Sequence, residues 1–132
     1  GYNNNNTVLN HEYNNKELRD KGLEIINNEY VRFKDEWIKH MLYNDCNDSD
    51  IKEYKSLVCD EILYGNENAV WTQERFGKLD KLYIQCKNDN MIPIQIQETM
   101  CNNLNIYGDN VIAMDTSHSP MLSQPKQLAF NI

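Results

Sequence analysis

An α/β fold with a parallel sheet is predicted by the second half of the sequence. Two compact runs, "KLYIQC" at 81–86 and "DNVIAMD" at 109–115, have the length and composition of buried strands. A polar loop and a helix-like stretch follow each run, and this alternation is typical of parallel sheets with helices on both faces. The first half lacks the alternation, so we expect it to form a separate, mostly helical segment.

The first structured element is expected after a polar N-terminal stretch. Residues 1–15 are rich in asparagine and show no periodicity, which predicts a tail or linker. Residues 16–21 favour a short helix that Gly22 would end. The runs "LEII" and "YVRF" then flank "NNE", and two β-prone runs around an Asn-Asn turn predict a hairpin.

Two amphipathic helices are predicted next, over 34–42 and about 50–58, because apolar residues recur at helical spacing in both. The stretch between them, "NDCNDSD", is expected to end the first helix and to cap the second through Asn47, Asp48 or Ser49. Its acidic character would also suit calcium. It lacks the glycine and the final glutamate of an EF-hand loop, so we prefer the capping interpretation.

The second half is predicted to contain two further helices. The one after the first strand should begin near Pro93, because proline is tolerated in a first helical turn. Its apolar positions Ile92, Ile96 and Met100 are four residues apart and predict one buried stripe. A closing helix is expected over about 124–130.

Composition excludes several classes of function. The net charge is −7, and no basic stripe is present, which argues against a nucleic-acid binder and against binding to anionic membranes. No apolar run is long enough to span a membrane, and the first residues do not resemble a secretory signal, so a cytoplasmic protein is expected. No C-x-x-C pair occurs, so four free thiols are expected at Cys46, Cys59, Cys86 and Cys101.

Two polar loops follow the predicted strands, and each carries one side chain suited to proton transfer. Asp89 lies three residues past Cys86, and His118 lies three residues past Asp115. Functional loops of parallel sheets follow the carboxyl ends of strands, so neighbouring strands would bring Asp89 and His118 together. A carboxylate that accepts the Nδ1–H of a histidine leaves Nε2 free as a base. The sequence therefore predicts the acid and the base of a nucleophile-activating triad.

Simpler interpretations of these residues were weighed against the triad. Asp89 alone would usually be a turn residue that bonds its own backbone. Asp115 is the competing acid, although as the last strand residue it is expected to bond the loop. His11 and His40 match no motif and are interpreted as surface residues.

The stretches "TQERFGKLDKLYIQCKNDNMIPIQIQETM" and "DTSHSPMLSQPKQLA" resemble the C-terminal third of an α/β-hydrolase. They are most similar to the branch that holds plant methylesterases, hydroxynitrile lyases and similar bacterial esterases. In that branch one strand ends in an acidic turn of the form D-x-x-I-P, as at 89–93, and another leads to a histidine followed by an apolar step, as at 118–122. The stretch "LYNDCNDSDIK" resembles part of the family's cap, and the similarity is strong from about Leu42 onwards.

The resemblance implies a division of the chain and a role for each part. Residues 16–76 would be a cap segment, and residues 77–132 would be the C-terminal portion of the hydrolase core. Asp89 would be the triad acid and His118 the triad base, with no metal or organic cofactor. Five side chains are candidates to line an acyl pocket: Trp37, Trp71, Met91, Ser119 and Met121. The tryptophans and methionines among them are more often plain core residues.

The departure from the family is the nucleophile. None of the serines, at positions 49, 56, 117, 119 and 123, lies in a G-x-S-x-G elbow. Two parallel strands also do not make a stable sheet, because parallel sheets need more strands and cover on both faces. We therefore expect the nucleophile-bearing half of the fold as a separate or cleaved chain, and a fold that is incomplete on its own.

Three functions are compatible with the sequence. The first is a serine hydrolase, carboxylesterase-like, acting on small ester or acyl substrates once the nucleophilic half is present. The second is a non-catalytic member of the same fold that binds a small molecule or a protein, since fold alone does not fix function. The third is a lyase related to hydroxynitrile lyases. It ranks lower because in that branch a lysine close behind the histidine assists the chemistry, and here Ser119, Pro120 and Met121 follow His118.

Overall fold

The computed structural model describes residues 18–62 and 71–132. The tail predicted at 1–15 and the loop around 64–70 lie outside these residues. The first described range forms a hairpin and two helices, and it packs against a second range built on two parallel strands. Within the described ranges, no helix has the length and apolarity needed to cross a bilayer.

Two asparagines turn the chain between the first two strands. A π-helical turn over Leu18–Gly22 leads into β1, Leu23–Ile26, and β2 is Tyr30–Phe33. Asn27 and Asn28 have φ values of 52° and 57°, in the left-handed region that asparagine tolerates better than most residues. β1 and β2 pair antiparallel, which confirms the predicted hairpin.

A third, two-residue strand extends this sheet. β3, Glu61–Ile62, pairs antiparallel with β2, and Glu61 lies opposite Val31. Two residues are too few to show a strand periodicity, so the sequence carries no signal for β3.

Two short helices follow the hairpin. α1 is Asp35–Leu42 and α2 is Asp48–Lys55, so α2 begins and ends a little earlier than predicted. The Asn47 side chain caps α2 by accepting from the Asp50 N–H at 2.9 Å, which confirms a capping turn in this stretch. The buried cluster between the helices is formed by Ile38, Tyr43 and Ile51, with Leu122 from the second range packed against it.

The two predicted strands of the second range are neighbours. β4 is Tyr83–Cys86 and β5 is Val111–Met114, and they pair in parallel with Cys86 opposite Met114. The crossover between them contains α3, Ile94–Leu104. The predicted parallel arrangement is therefore confirmed, and the carboxyl ends of both strands meet at one edge of the sheet.

The buried face of α3 differs from the predicted stripe. Pro93 is the residue before the helix and not part of its first turn, so Ile92 lies outside the helix. The buried positions of the helix are Ile96, Gln97 and Cys101. Gln97 is buried because its side chain binds the backbone of Cys86 at the end of β4. An apolar periodicity cannot reveal a buried glutamine.

The C-terminal segment is divided into two short helices where one was predicted. α4 is Pro120–Ser123 and α5 is Pro125–Asn131. Each begins with a proline, which fits a first helical position because its missing N–H would have no helical acceptor there. Pro125 therefore marks a second helix start close behind the first.

Candidate active site

The loops that follow β4 and β5 remain paired beyond the ends of the strands. The Lys87 N–H donates to Met114 O at 2.9 Å, and the Asn88 N–H donates to Thr116 O at 3.0 Å. These two bonds continue the ladder into the loops. The next residue of one loop is Asp89, and His118 follows Thr116 by two residues in the other, so the ladder delivers both side chains to the same place.

Asp89 is fixed by its own loop and faces the histidine. Its side chain is 5% exposed. Oδ1 accepts from the N–H groups of Met91 at 2.8 Å and Ile92 at 2.9 Å. Oδ2 lies 2.9 Å from His118 Nδ1. Asp89 therefore bonds its own backbone through one oxygen and the imidazole through the other.

His118 has its two ring nitrogens in different surroundings. An ionised carboxylate can only accept hydrogen bonds, so opposite Asp89 the Nδ1 atom carries the proton and Nε2 is the unprotonated nitrogen of the neutral ring. The side chain is 34% exposed, and His118 lines a cavity between the two described ranges. This arrangement can accept a proton at Nε2 and stabilise the resulting imidazolium through Asp89.

The residues around His118 are almost completely buried. Thr116 and Ser117 have no exposed surface and Ser119 is 6% exposed. The Ser117 N–H donates to Asp45 Oδ2 at 2.9 Å, from the connection between α1 and α2. Burial by itself would raise the pKa of Asp45, but the hydrogen bonds that its carboxylate accepts, those from Ser117 foremost, together outweigh burial, and this pKa is lowered from its ordinary value. Asp45 is therefore ionised at neutral pH.

Buried groups below the loops stay neutral. Burial raises the pKa of the Cys86 thiol, and burial with the nearby charges of Cys101 and Asp89 raises the pKa of Tyr83 to about 12. Cys86 at the end of β4 is a core residue, 7% exposed, and its protonated thiol is a poor nucleophile.

A cavity of about 350 Å³ opens beside His118. Its wall is mostly apolar and comes largely from the first range, at or just after the ends of β2, α1 and α2. The lining residues are Phe33, Leu42, Tyr43, Leu57, Val58, Cys59, Glu61, Met91, His118 and Ser119.

Of the side chains predicted to line a pocket, Met91 and Ser119 lie at this cavity and three do not. Trp37 packs edge-to-face on His40 with ring centroids 5.5 Å apart, one residue before the buried Ile38 and so on another side of α1. Trp71 packs on Phe76 in the same way at 5.6 Å. Met121 is 57% exposed.

The apolar residues that line the cavity instead were not singled out from the sequence. Phe33 ends β2, Leu42 ends α1, and Leu57 and Val58 follow α2. These residues lie at or just after the end of a strand or helix, and this position was the only feature of the sequence that could have indicated them.

The competing acid and the other histidines lie apart from the pair. Asp115 is an exposed residue whose side chain binds Lys87 Nζ at 2.6 Å, and its carbonyl accepts from Gln124. His40 is exposed, as predicted, and His11 lies outside the described residues. In the ranges 18–62 and 71–132, no group of three or more histidine, cysteine or acidic side chains is placed to hold a metal ion.

Solved structures share this arrangement of strands, loops and helices. Polyneuridine aldehyde esterase matches with a TM-score of 0.67 and 21% identity, over 76% of this chain and 40% of that structure. Tomato methylketone synthase I matches with a TM-score of 0.65 and 19% identity over the same shares. The chain has the fold of the C-terminal portion of an α/β-hydrolase.

The sequence is similar to the methylesterase-like branch of the α/β-hydrolases, which is the resemblance that the motifs predicted. Methylesterase 10 of Arabidopsis thaliana is 29% identical over 103 residues, which are 75% of this chain and 37% of that protein. Salicylic acid-binding protein 2 of Nicotiana tabacum is 27% identical over 103 residues, 76% of this chain and 39% of that protein. No family model matches. The chain thus spans about two fifths of the length of the hydrolases it matches.

Proposed function

We propose that this chain supplies the base and the acid of an esterase that acts on small ester or acyl substrates. The observation that carries the proposal is the 2.9 Å contact between His118 Nδ1 and Asp89 Oδ2, with Asp89 Oδ1 held by two backbone N–H groups. Proteins named Methylesterase 10 and polyneuridine aldehyde esterase are among those that the chain resembles, and these names support the same class of chemistry.

The proposed reaction is an acyl transfer through a serine. The serine Oγ attacks the ester carbonyl while His118 Nε2 takes its proton. His118 then gives the proton to the leaving alcohol, and water repeats both steps to release the acid. Asp89 keeps Nδ1 protonated and stabilises the imidazolium. The apolar cavity beside His118 is the place for the non-reacting part of a small substrate.

The nucleophilic serine is proposed to come from the N-terminal half of the fold, either as a missing part or as a second chain. No serine of this sequence lies in a G-x-S-x-G elbow. The sheet that carries Asp89 and His118 has two strands in the described ranges, and parallel sheets of two strands are not stable alone. A partner half that adds strands would complete the sheet and bring the elbow to the same edge.

The first experiment is native mass spectrometry of the purified protein with a denaturing gel. A co-purifying polypeptide, or a longer chain, that carries G-x-S-x-G supports the proposal. The assembled protein should hydrolyse an activated ester and react with a fluorophosphonate probe, and His118→Ala should abolish the hydrolysis.

A control variant separates chemistry from folding. His40→Ala removes an exposed histidine outside the site and should leave hydrolysis unchanged. Failure of the assembled protein to react with the probe or to hydrolyse any activated ester would refute the esterase and favour a non-catalytic binding protein.

A further inference from the structure

The connection between α1 and α2, residues 43–47, contacts both loops of the candidate site. Asn44 Nδ2 donates to Asn88 O at 3.1 Å, next to Asp89, and Asp45 Oδ2 accepts from the Ser117 N–H at 2.9 Å, next to His118. We propose that Asp45 is a positioning residue that holds the histidine loop so that His118 keeps its geometry against Asp89 and the nucleophile. This inference rests on the function proposed above.

The Ser117 N–H depends on Asp45 because the loop has left the sheet. β5 ends at Met114, and the last ladder bond is accepted by Thr116 O. Ser117 has no exposed surface, so water cannot replace a lost partner. A buried N–H without an acceptor is costly, and the carboxylate that satisfies it lies 72 positions earlier in the chain.

The Ser117 hydroxyl ties the same residue to its surroundings a second time. Its Oγ donates to Leu42 O at 3.3 Å, at the end of α1, and accepts from the Ser119 N–H at 3.4 Å. Ser117 and Ser119, on the two sides of His118, are thus held in place: Ser117 by the first described range and Ser119 by the Ser117 hydroxyl. The backbone of His118 has little freedom while these bonds are intact.

The acid loop is held from the same direction. Asn90 Nδ2 donates to His40 O at 2.8 Å, in α1. Together with Asn44, this bond binds the turn that contains Asp89 to α1 and the connection behind it. The first range therefore contacts both the acid loop and the base loop, and Asp45 is a charged contact to the base loop.

Asp48 is an acid of the same stretch that contacts neither loop of the candidate site. Its side chain is 89% exposed and binds Lys39 in α1 at 2.7 Å, and not a residue of either loop. Asp45 and Asp48 are three residues apart and carry the same charge. Asp48→Asn is therefore a matched control for changes at Asp45.

The test compares Asp45→Ala, Asp45→Asn and Asp48→Asn in the assembled protein with the nucleophilic half present. A misplacement of about 1 Å at a reacting group costs on the order of 100-fold in rate, so Asp45→Ala should lower kcat about 30- to 100-fold. KM should change less than about twofold, because the wall of the cavity is intact. Asp45→Asn keeps an oxygen that can accept from Ser117, so it should lose less, roughly 3- to 10-fold. Asp48→Asn should match the wild type.

A spectroscopic readout separates positioning from stability. The Nδ1 proton that His118 shares with Asp89 should give a low-field proton resonance in the wild type and in Asp48→Asn. In Asp45→Ala this resonance should broaden or shift upfield at temperatures where the variant is fully folded. A merely structural role would lower the melting temperature and leave the resonance in place.

The outcomes distinguish this inference from the proposed function. If the wild type hydrolyses esters through His118 and Asp45→Ala keeps kcat within twofold, the positioning role is refuted and the esterase stands. If the assembled wild type hydrolyses nothing, the esterase is refuted. The resonance of the His118 Nδ1 proton then still decides whether Asp45 positions the pair: an unchanged signal in Asp45→Ala refutes it, and a broadened or upfield-shifted signal supports it.

Discussion

Gln97 on α3 binds both backbone groups of Cys86, the last residue of β4. Its Oε1 accepts from the Cys86 N–H at 2.9 Å, and its Nε2 donates to Cys86 O at 2.8 Å and to Ile92 O at 2.7 Å. The side chain is almost fully buried. One glutamine therefore satisfies three backbone groups at the point where the strand ends and the loop of Asp89 begins.

Replacement of Gln97 should destabilise the protein. Gln97→Leu keeps most of the volume and leaves three backbone groups without their partner, so the free energy of unfolding should fall by roughly 2–4 kcal/mol. Urea unfolding of the assembled protein measures this. Gln95→Leu, at an exposed position of the same helix, should change it by less than about 0.5 kcal/mol. Equal effects of the two changes would mean that the buried bonds contribute nothing.

Asp89 and Asp115 are the two acids that were candidates to orient His118: Asp89 lies 29 residues before it in sequence but contacts its ring, and Asp115 lies three residues before it. Asp89→Asn should lower kcat by about 10³- to 10⁴-fold, because an amide opposite Nδ1 favours the wrong tautomer of His118. Its Oδ1 bonds can persist, so the fold should be retained. Asp115→Asn removes an exposed ion pair with Lys87 and should leave kcat unchanged. Steady-state kinetics of both variants checks this, and the opposite ranking would make Asp115 the triad acid.

Cys46 should be slow to alkylate. Burial, and then the charge of Asp45, raise the pKa of Cys46 to about 11. At pH 8 only about one thiol in a thousand is then a thiolate, which is the reactive form. Its labelling by iodoacetamide should rise about tenfold for each pH unit up to about pH 11.

Cys59, an exposed thiol, is the internal reference for this measurement. Peptide mass spectrometry after timed labelling reports both sites in one sample. Labelling of Cys46 at pH 8 as fast as that of Cys59 would show that the thiol is not shielded as described.

Asp45 should make stability depend on pH in the acid range. Its folded pKa lies below the ordinary value of 3.8, so the folded state favours the ionised form more strongly than the unfolded state does. The resulting stabilisation is fully present above pH 3.8 and is lost as the pH falls through the lower, folded pKa.

Asp45→Asn isolates this contribution. The difference in unfolding free energy between the wild type and Asp45→Asn should be largest near neutral pH and should shrink below about pH 4. Urea unfolding at several pH values measures it. A difference that grows on acidification would mean that the pKa of Asp45 is raised in the folded state.

The features that could be predicted from the sequence are those with a local cause. Two asparagines between β-prone runs define the hairpin, because asparagine tolerates positive φ. Asp89 and His118 could be paired because each follows a strand by a fixed few residues, and strand ends meet in a parallel sheet. Their contact needed only these local patterns and the resemblance to the hydrolases.

The features that could not be predicted depend on residues far apart in the chain. In the sequence, Asp45 is one of several acids in a capping turn. Its role depends on Ser117, which lies 72 positions later and donates its N–H to the Asp45 side chain. In the sequence, Gln97 is a polar residue on a helix. Its burial is explained by its hydrogen bonds to the backbone of Cys86 at the end of β4. The apolar wall of the cavity likewise comes from the ends of three elements, β2, α1 and α2, which no periodicity within a single element reveals.

The bonds from Lys87 and Asn88 to the opposite loop have a consequence for how a substrate could reach the site. They keep the two loops in register with the strands, so the backbones of the acid loop and the base loop cannot move apart unless the end of the sheet opens first. We therefore expect that a motion admitting a ligand occurs in the opposite wall of the cavity, where Leu57 is largely exposed. Amide protons of Lys87 and Asn88 should then exchange with solvent far more slowly than that of Leu57. Exchange in this order would show that the end of the sheet is more rigid than the opposite wall of the cavity.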